Sequence, residues 1–346
     1  MANAIKEALQ QSMAKNGVQS SVGLTLRNSV GQINCNSLGY QIALDTLTAV
    51  RAQVIDQKFY EVAPADYAPL TVGEGSFAQN ILTGVAISTS GDFEEGNINQ
   101  GSGNSRLATA DIGITSITTK IINWAKSIGY TVFELEQALR AENWDIIASK
   151  HSARKKNWDL GIQEMMFLGS SQDGDVKGLF TQTGVNVDET TIPKAISAMN
   201  AAEFATFVKS ILAAYQANCA YTAMPNVFVI PQDDFLGLTD PLNTTYPSIS
   251  KLDYLNKAFA QVVAGGVSIL PSVYGMLSKN AARGISKNRY AMYRYDADTL
   301  RMDIPVDYTI TAADTANNFQ FQDVSYGQYS GITVYRPLEV LYFDWD

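Results

Sequence analysis

Two stretches of spaced apolar residues, Ile81, Val85 and Ile87 before and Ile112, Ile114 and Ile117 after, flank a segment from Ser88 to Ala110 rich in Gly, Ser and Asn. The pattern predicts a long two-stranded excursion between Thr71 and Thr119 with a polar tip. Two strands alone bury too little apolar area to offset the entropy of ordering them. A ribbon of this length therefore needs a partner surface, and that requirement constrains the rest of the chain.

Composition points the same way. Of 346 residues, 46% are hydrophobic and only 17% charged, on the globular side of the divide from disorder. A soluble monomer usually carries roughly 25% charged residues, so part of this surface is expected to be covered by copies of itself. The 25 basic and 34 acidic side chains give a net charge of −9, which argues against a surface built to grip nucleic acid. At about 100–200 residues per domain, the length fits two domains or one large one. Cys35 and Cys219 are too few and too distant for a disulfide framework or a zinc cluster, and a reducing compartment is expected. Met1 to Gly17 has apolar residues at helical spacing but lacks the unbroken core of a signal peptide. Ala258 to Leu270, the most apolar later stretch, is interrupted by Gln261 and Gly265-Gly266 and falls short of the ~20 residues that cross a bilayer.

Residues 1 to 68 hold scattered apolar side chains with no pattern that would close a core, and are expected to form an arm lying on something else. Thr131 followed by Glu134 is a capping-box spacing that starts a short helix to about Glu142. Asn143 is placed to cap a second, longer helix over 143–168, ending at Gly169, ~26 residues or ~39 Å long. On it Trp144, Ile147, His151, Trp158, Ile162, Met165 and Met166 share one face, and Ile146, Ala153, Leu160 and Phe167 the other. A helix apolar on two sides is expected between two layers. Downstream, strands are predicted at Gly178 to Gln182, Asn226 to Pro231, Val267 to Leu270, Tyr290 to Tyr295, Leu300 to Ile304, Phe319 to Asp323, Gly331 to Tyr335 and Val340 to Phe343. Helices are predicted at Ala201 to Ala217, Gln232 to Leu238 and Ser250 to Val262.

Catalytic motifs are scarce. His151 is the single histidine, and its position between Trp144 and Trp158 reads as structural packing. No nucleophile elbow, His-Glu-x-x-His helix or Walker loop occurs, and Gly73-Glu74-Gly75 and Gly101-Ser102-Gly103 lack the strand-then-helix setting of a phosphate loop. Asp233-Asp234 fits the first turn of a short helix, and Asp173-Gly174-Asp175 fits a turn. Asp92, Glu94 and Glu95 at the ribbon tip are either solvated or dock on a basic site of a neighbour. Lys150, Arg154, Lys155 and Lys156 are read as ion-pairing within or between chains, with a surface facing nucleic acid as the alternative.

The order of parts, arm, polar-tipped ribbon, long helix, α/β unit and returning strands, resembles the major capsid proteins of tailed bacteriophages, whose Hong Kong 97-type fold is shared with encapsulins. The likeness is carried by Gly129-Tyr130-Thr131-Val132-Phe133-Glu134-Leu135 before the long helix, Phe167-Leu168-Gly169 through Gly178-Leu179 after it, and Tyr329-Ser330-Gly331-Ile332-Thr333-Val334-Tyr335-Arg336-Pro337-Leu338 near the end. It covers most of the chain beyond about residue 70.

The resemblance implies an α+β fold with an N-terminal arm (1–68), an extended β-hairpin loop (69–125), a peripheral domain (126–195 and 306–346) with a spine helix over 143–168, and an axial domain (196–305). It further implies a structural, non-enzymatic subunit without cofactor or metal, assembling through hexamers and pentamers into an icosahedral shell around double-stranded DNA, with no sequence-specific binding and no membrane. Portal, scaffolding and decoration proteins are implied partners, and assembly in the host cytoplasm is implied. Inter-subunit contact candidates are Asp92, Glu94, Glu95 and Arg106 on the ribbon and Lys150, Arg154, Lys155 and Lys156 on the helix. Some relatives cross-link through a lysine in the extended loop, but Gln79 to Thr119 contains none. The chain begins at Met1 with only a modest arm, so no cleaved scaffolding extension is expected. An encapsulin-like nanocompartment shell is one alternative reading, and a soluble enzyme using carboxylates and lysines is another.

Overall fold

The computed structural model describes residues 58–88, 112–140, 146–243, 247–315 and 319–345. Most of the expected arm, the ribbon tip with Asp92, Glu94, Glu95 and Arg106, and the Asn143 cap with Trp144 lie outside the described residues. Residues 58–346 form one compact unit.

After a short strand β1 (Leu70–Val72), the chain forms the ribbon strands β2 (Asn80–Ser88) and β3 (Ile112–Thr131), paired antiparallel with Asn80 opposite Lys120 and Ala86 opposite Ile114. β3 does not stop at the ribbon base. Its 20 residues would span ~66 Å at 3.3 Å each. Helix α1 (Val132–Arg140) follows directly. Its start is the expected capping box, with Thr131 N donating to Glu134 Oε2 at 3.0 Å and Glu134 N to Thr131 Oγ1 at 3.3 Å.

The spine helix α2 (Ile146–Leu168) ends where expected, at Gly169 with φ 70°. The returning chain passes so close that a Cβ at Gly169 would sit 2.7 Å from Gly178 N, so glycine is required by both the left-handed backbone and the space. The strand expected at Gly178 to Gln182 is absent, and this segment is a turn. Leu179 N donates to Met166 O and Phe180 N to Phe167 O, so its amides cap the carbonyls at the helix end and are not free to extend a sheet. Along α2, Trp158, Ile162, Met166 and Phe167 are buried, whereas Ala153 is exposed and Leu160 half-buried. Among the described residues the second apolar face is thus buried only near the C-terminal end, at Phe167.

Next come β4 (Asn186–Asp188), α3 (Ala201–Asn218), β5 (Val227–Pro231), α4 (Gln232–Gly237), α5 (Lys251–Val262), β6 (Ser268–Ser272) and β7 (Asn288–Tyr293). The strands β8 (Leu300–Ile304), β9 (Val306–Ile310), β10 (Asp314–Thr315), β11 (Gln320–Ser330), β12 (Ile332–Val334) and β13 (Val340–Trp345) complete the chain. One sheet has the order β4-β13-β7-β5-β6, and its alternation divides two cores. Phe228, Ile230, Tyr290, Met292, Leu341 and Phe343 face α3 and α5, which contribute Phe204, Ile211, Tyr215, Leu255 and Phe259. Val227, Val229, Ala291, Tyr293, Val340 and Tyr342 face the other way, onto Tyr67, Phe167 and Phe180. At about 1.5–3 kcal/mol per fully buried large apolar side chain, this double-sided sheet is the main source of stability. The last segment of the expected arm, Lys58 to Ala68, joins the second core, with Tyr67 and Ala68 buried.

Candidate assembly surface

The ribbon reaches the body through β3. Residues 112–120 pair with β2, and residues 121–131 pair antiparallel with β11, Ile121 opposite Ser330 and Thr131 opposite Gln320. One continuous strand therefore carries both the ribbon and the sheet that lies on the spine helix. Alternation sets Leu82, Gly84 and Ala86 on one ribbon face with Thr118, Ser116 and Ile114. That face is uncovered: Leu82 is 69% and Ile114 80% exposed. The opposite face, where Ile81, Val85 and Ile117 are half-buried, is hydrogen-bonded to residues of the β1-β8-β12 sheet. Thr119 Oγ1 lies 2.8 Å from Thr333 Oγ1, Thr83 Oγ1 lies 3.4 Å from the Tyr335 hydroxyl, and Arg301 Nη2 donates to Thr83. Lys120 Nζ, at the ribbon base, pairs with Asp173 at 2.5 Å and Asp175 at 3.7 Å. The Asp173 carboxyl is held below its ordinary range by its hydrogen bond with Lys120, and the Lys120 ammonium is raised by the same bond. The Asp173-Gly174-Asp175 turn thus anchors the ribbon, a role its sequence did not signal.

The spine-helix basic residues all have partners within the chain. Lys150 Nζ donates to Glu134 Oε1 and to Gly129 O, both at 3.0 Å, tying the helix to the end of β3, and this hydrogen bond lowers the Glu134 carboxyl. Lys155 pairs with Asp159 at 3.0 Å, and Lys156 with Glu61. Arg154 corrects the expectation of a contact surface: it is 1% exposed, and its guanidinium is held by Asp323, by the Tyr308 hydroxyl at 3.1 Å and by His151 Nδ1 at 3.1 Å. His151 is accordingly half-buried beside an ion pair, with Nε2 3.4 Å from Asp323 Oδ2.

The Asp233-Asp234 pair diverges. Asp233 is exposed, while Asp234 is buried and accepts from Ile196 N at 3.0 Å, Ser197 N at 2.7 Å and the Tyr290 hydroxyl at 2.5 Å. The Tyr290 hydroxyl is pushed up by burial and by the Asp234 charge. Such an arrangement fixes two loops on the sheet and leaves no paired carboxylates facing a common space. Among the described residues, no group of three His, Cys, Asp or Glu side chains is placed to hold a metal ion, and no helix is long and apolar enough to cross a membrane.

Beside the ribbon base, β8 carries Asp303 opposite Thr71 of β1. Asp303 is fully buried and neither carboxylate oxygen has a hydrogen bond; Arg301 Nε is 3.3 Å away but out of line. Burial raises its pKa, Arg301 opposes that and Glu74 adds to it. The folded chain therefore binds this proton more tightly than the unfolded one, and stability falls as pH rises through the raised range. Asp303→Asn is expected to gain on the order of 1 kcal/mol at pH 8, with the gain shrinking as pH drops toward the ordinary carboxylate range. Urea denaturation across pH measures it; an equal effect at every pH would contradict the assignment.

A model of the major capsid protein family matches residues 97–345. The capsid of Myoviridae phage XM1 superposes with a TM-score of 0.70 at 16% identity, covering 87% of this chain and 98% of the other. The capsid of a native GTA particle gives 0.57 at 13% identity, over 90% and 99%, and that of cyanophage P-SCSP1u 0.54 at 14%, over 88% and 94%. No curated protein matches the sequence. The fold is the α+β Hong Kong 97-type capsid fold, that of a subunit which builds shells from copies of itself. The chain belongs to the major capsid protein family, and its role is structural, in a virion shell.

Proposed function

We propose that the chain forms hexamers and pentamers that close into an icosahedral shell around the double-stranded DNA of a tailed phage, with no enzymatic activity of its own. The observation that carries this reading is the ribbon: a strand continuous with the body extends a face on which the large apolar side chains Leu82 and Ile114 stand exposed and which nothing in the described chain covers. Laid across a neighbouring copy, that face is buried, and closure of the shell leaves no ribbon uncovered. Contacts that are modest singly then add through multivalency. Residues 1–57 are assigned the role of an arm onto neighbours, and Asp92, Glu94, Glu95 and Arg106 that of contacts at the ribbon tip. Lys150, Lys155 and Lys156, which keep part of their surface free, are assigned to contacts along the spine. The two cores on either side of the central sheet correspond to a peripheral part, with α2 and β11, and an axial part, with α3 and α5. A net charge of −9 suits a container that encloses DNA without gripping it. Portal, scaffolding and decoration proteins are its further partners, with assembly in the host cytoplasm.

Deleting Ser88 to Ala110, with a two-residue turn in its place, is expected to leave folded, soluble subunits that form no shells. Electron microscopy and size-exclusion chromatography read the result, and normal particles from the deletion would refute the role of the ribbon. Nuclease-protected double-stranded DNA inside native particles is the matching test of the contents.

A further inference from the structure

A cleft of about 410 Å3 opens beside the C-terminal end of α2, between the turn at 170–177 and the loop at 282–289. Its charged lining is entirely cationic, Lys177, Arg283 and Arg289, and Ser170, Ser171 and Thr183 add hydroxyls. Two of the cations are already balanced from behind. Arg289 forms a two-point pair with Asp344, 2.7 Å at each contact, and donates to Phe180 O, while Arg283 Nη2 meets Glu164 at 3.2 Å and Gly169 O at 3.1 Å. Lys177 is not balanced. Among the described residues it is the one half-buried lysine with neither a carboxylate nor a hydrogen-bond acceptor. Arg283 Nε is a second unpartnered donor, buried and without an acceptor. Ser171 and Thr183, exposed in the lining, have hydroxyls not engaged with other described residues.

Arg283 Nε is a cationic donor withdrawn from water without an acceptor, which is costly, and Lys177 adds a charge that no carboxylate in the cleft balances; an anion that brings several acceptors meets both needs. We propose that this cleft binds a free tetrahedral oxyanion of the phosphate class, with Lys177 supplying the uncompensated charge and Arg283, Ser171 and Thr183 supplying donors. The site lies behind the ribbon anchor. The same turn presents Asp173 and Asp175 to Lys120, and Lys177 also lines a smaller cleft of about 160 Å3 against residues 117–120 of β3. An anion in the larger cleft therefore steadies the turn that holds the ribbon base.

The test uses full-length subunits freed of phosphate, titrated with inorganic phosphate, acetate or chloride at matched ionic strength. Binding is read by broadening of the free-phosphate 31P resonance and by the thermal midpoint. Wild type and the exposed-lysine control Lys257→Met are expected to broaden the resonance and rise in midpoint with phosphate, saturably. Lys177→Met and Lys177→Gln are expected to bind on the order of tenfold more weakly; Ser171→Ala combined with Thr183→Val is expected to weaken binding by less. Circular dichroism identifies which Lys177 variant is folded and scored. Unchanged binding in that variant, no binding by wild type, or an equal response to acetate would each overturn the proposal.

Discussion

Asp323→Ala is expected to destabilise the subunit by about 3–5 kcal/mol, because it leaves the Arg154 charge buried without its counter-ion. Arg154 sits on the inner face of α2 and reaches β11, where it holds both the Asp323 carboxylate and, at 3.2 Å, the Asp323 backbone carbonyl. Its remaining donors go to the Tyr308 hydroxyl of β9 and to His151, and among the described residues Asp323 is the one carboxylate it bonds. Removing Arg154 as Arg154→Met strands Asp323 in the same way. Replacing both, as Arg154→Met with Asp323→Leu, is expected to cost much less than either single change, since an apolar pair needs no counter-charge. The exposed pair Lys155–Asp159 is the control, and Lys155→Ala is expected to change stability by less than about 1 kcal/mol. Urea midpoints of unassembled subunits decide the matter. If Asp323→Ala and Lys155→Ala were equally mild, the buried pair would not be what fastens the spine helix to the sheet.

What the sequence reveals here depends on whether the signal is local. The stripe Phe204, Val208, Ile211, Leu212 and Tyr215 is buried as its spacing predicts, and the run Val227 to Ile230 is a buried strand because successive residues feed the two cores in turn. Thr131 with Glu134 and the stop at Gly169 are equally legible, since each motif is complete within a few residues. β11 is not. Its sequence, Gln320–Ser330, is polar, and only its first few residues look like a strand, yet Asp323, Ser325, Gln328 and Ser330 are buried in it. Their partners are remote: Arg154 lies 169 residues away from Asp323, and Gln328 bonds Asn123 of β3. A polar strand whose partners come from elsewhere in the chain carries no periodic apolar signal. Within the basic run Lys150 to Lys156 the burial of Arg154 is hidden for the same reason, because its partner Asp323 is remote in sequence while its neighbours pair nearer the surface. The ribbon is legible as a ribbon, and its need for a partner follows from its length. Which side is left uncovered depends on the register with Thr333 and Tyr335, more than 200 residues downstream.

The spacing between spine helix and ribbon sheet rests on one glycine, and Gly327→Ala is expected to disturb both folding and assembly. Gly327 stands opposite Trp124 in the β11–β3 register, and a Cβ there would come 2.7 Å from Trp158 Cζ3 and 3.1 Å from Cζ2. Glycine inside a strand commonly marks such a close approach. Trp158 has no room to turn away: it is 1% exposed, with Trp124 at 5.2 Å, Tyr329 at 5.3 Å and Tyr308 at 6.2 Å, ring centre to ring centre. The added methyl must lift α2 from the sheet or force the indole off its rotamer, at about 1–3 kcal/mol; the larger Gly327→Val is expected to cost more. Because β11 pairs with the same strand that runs on into the ribbon, a displaced helix also re-aims the ribbon. Gly327→Ala subunits that still fold are therefore expected to close fewer shells than wild type at equal concentration, by electron microscopy. Trp158→Phe in the Gly327→Ala background shortens the ring that collides and is expected to recover part of both losses, a coupling that independent sites would not show. An unchanged thermal midpoint for Gly327→Ala, or strict additivity of the two substitutions, would mean that the helix is positioned by other contacts.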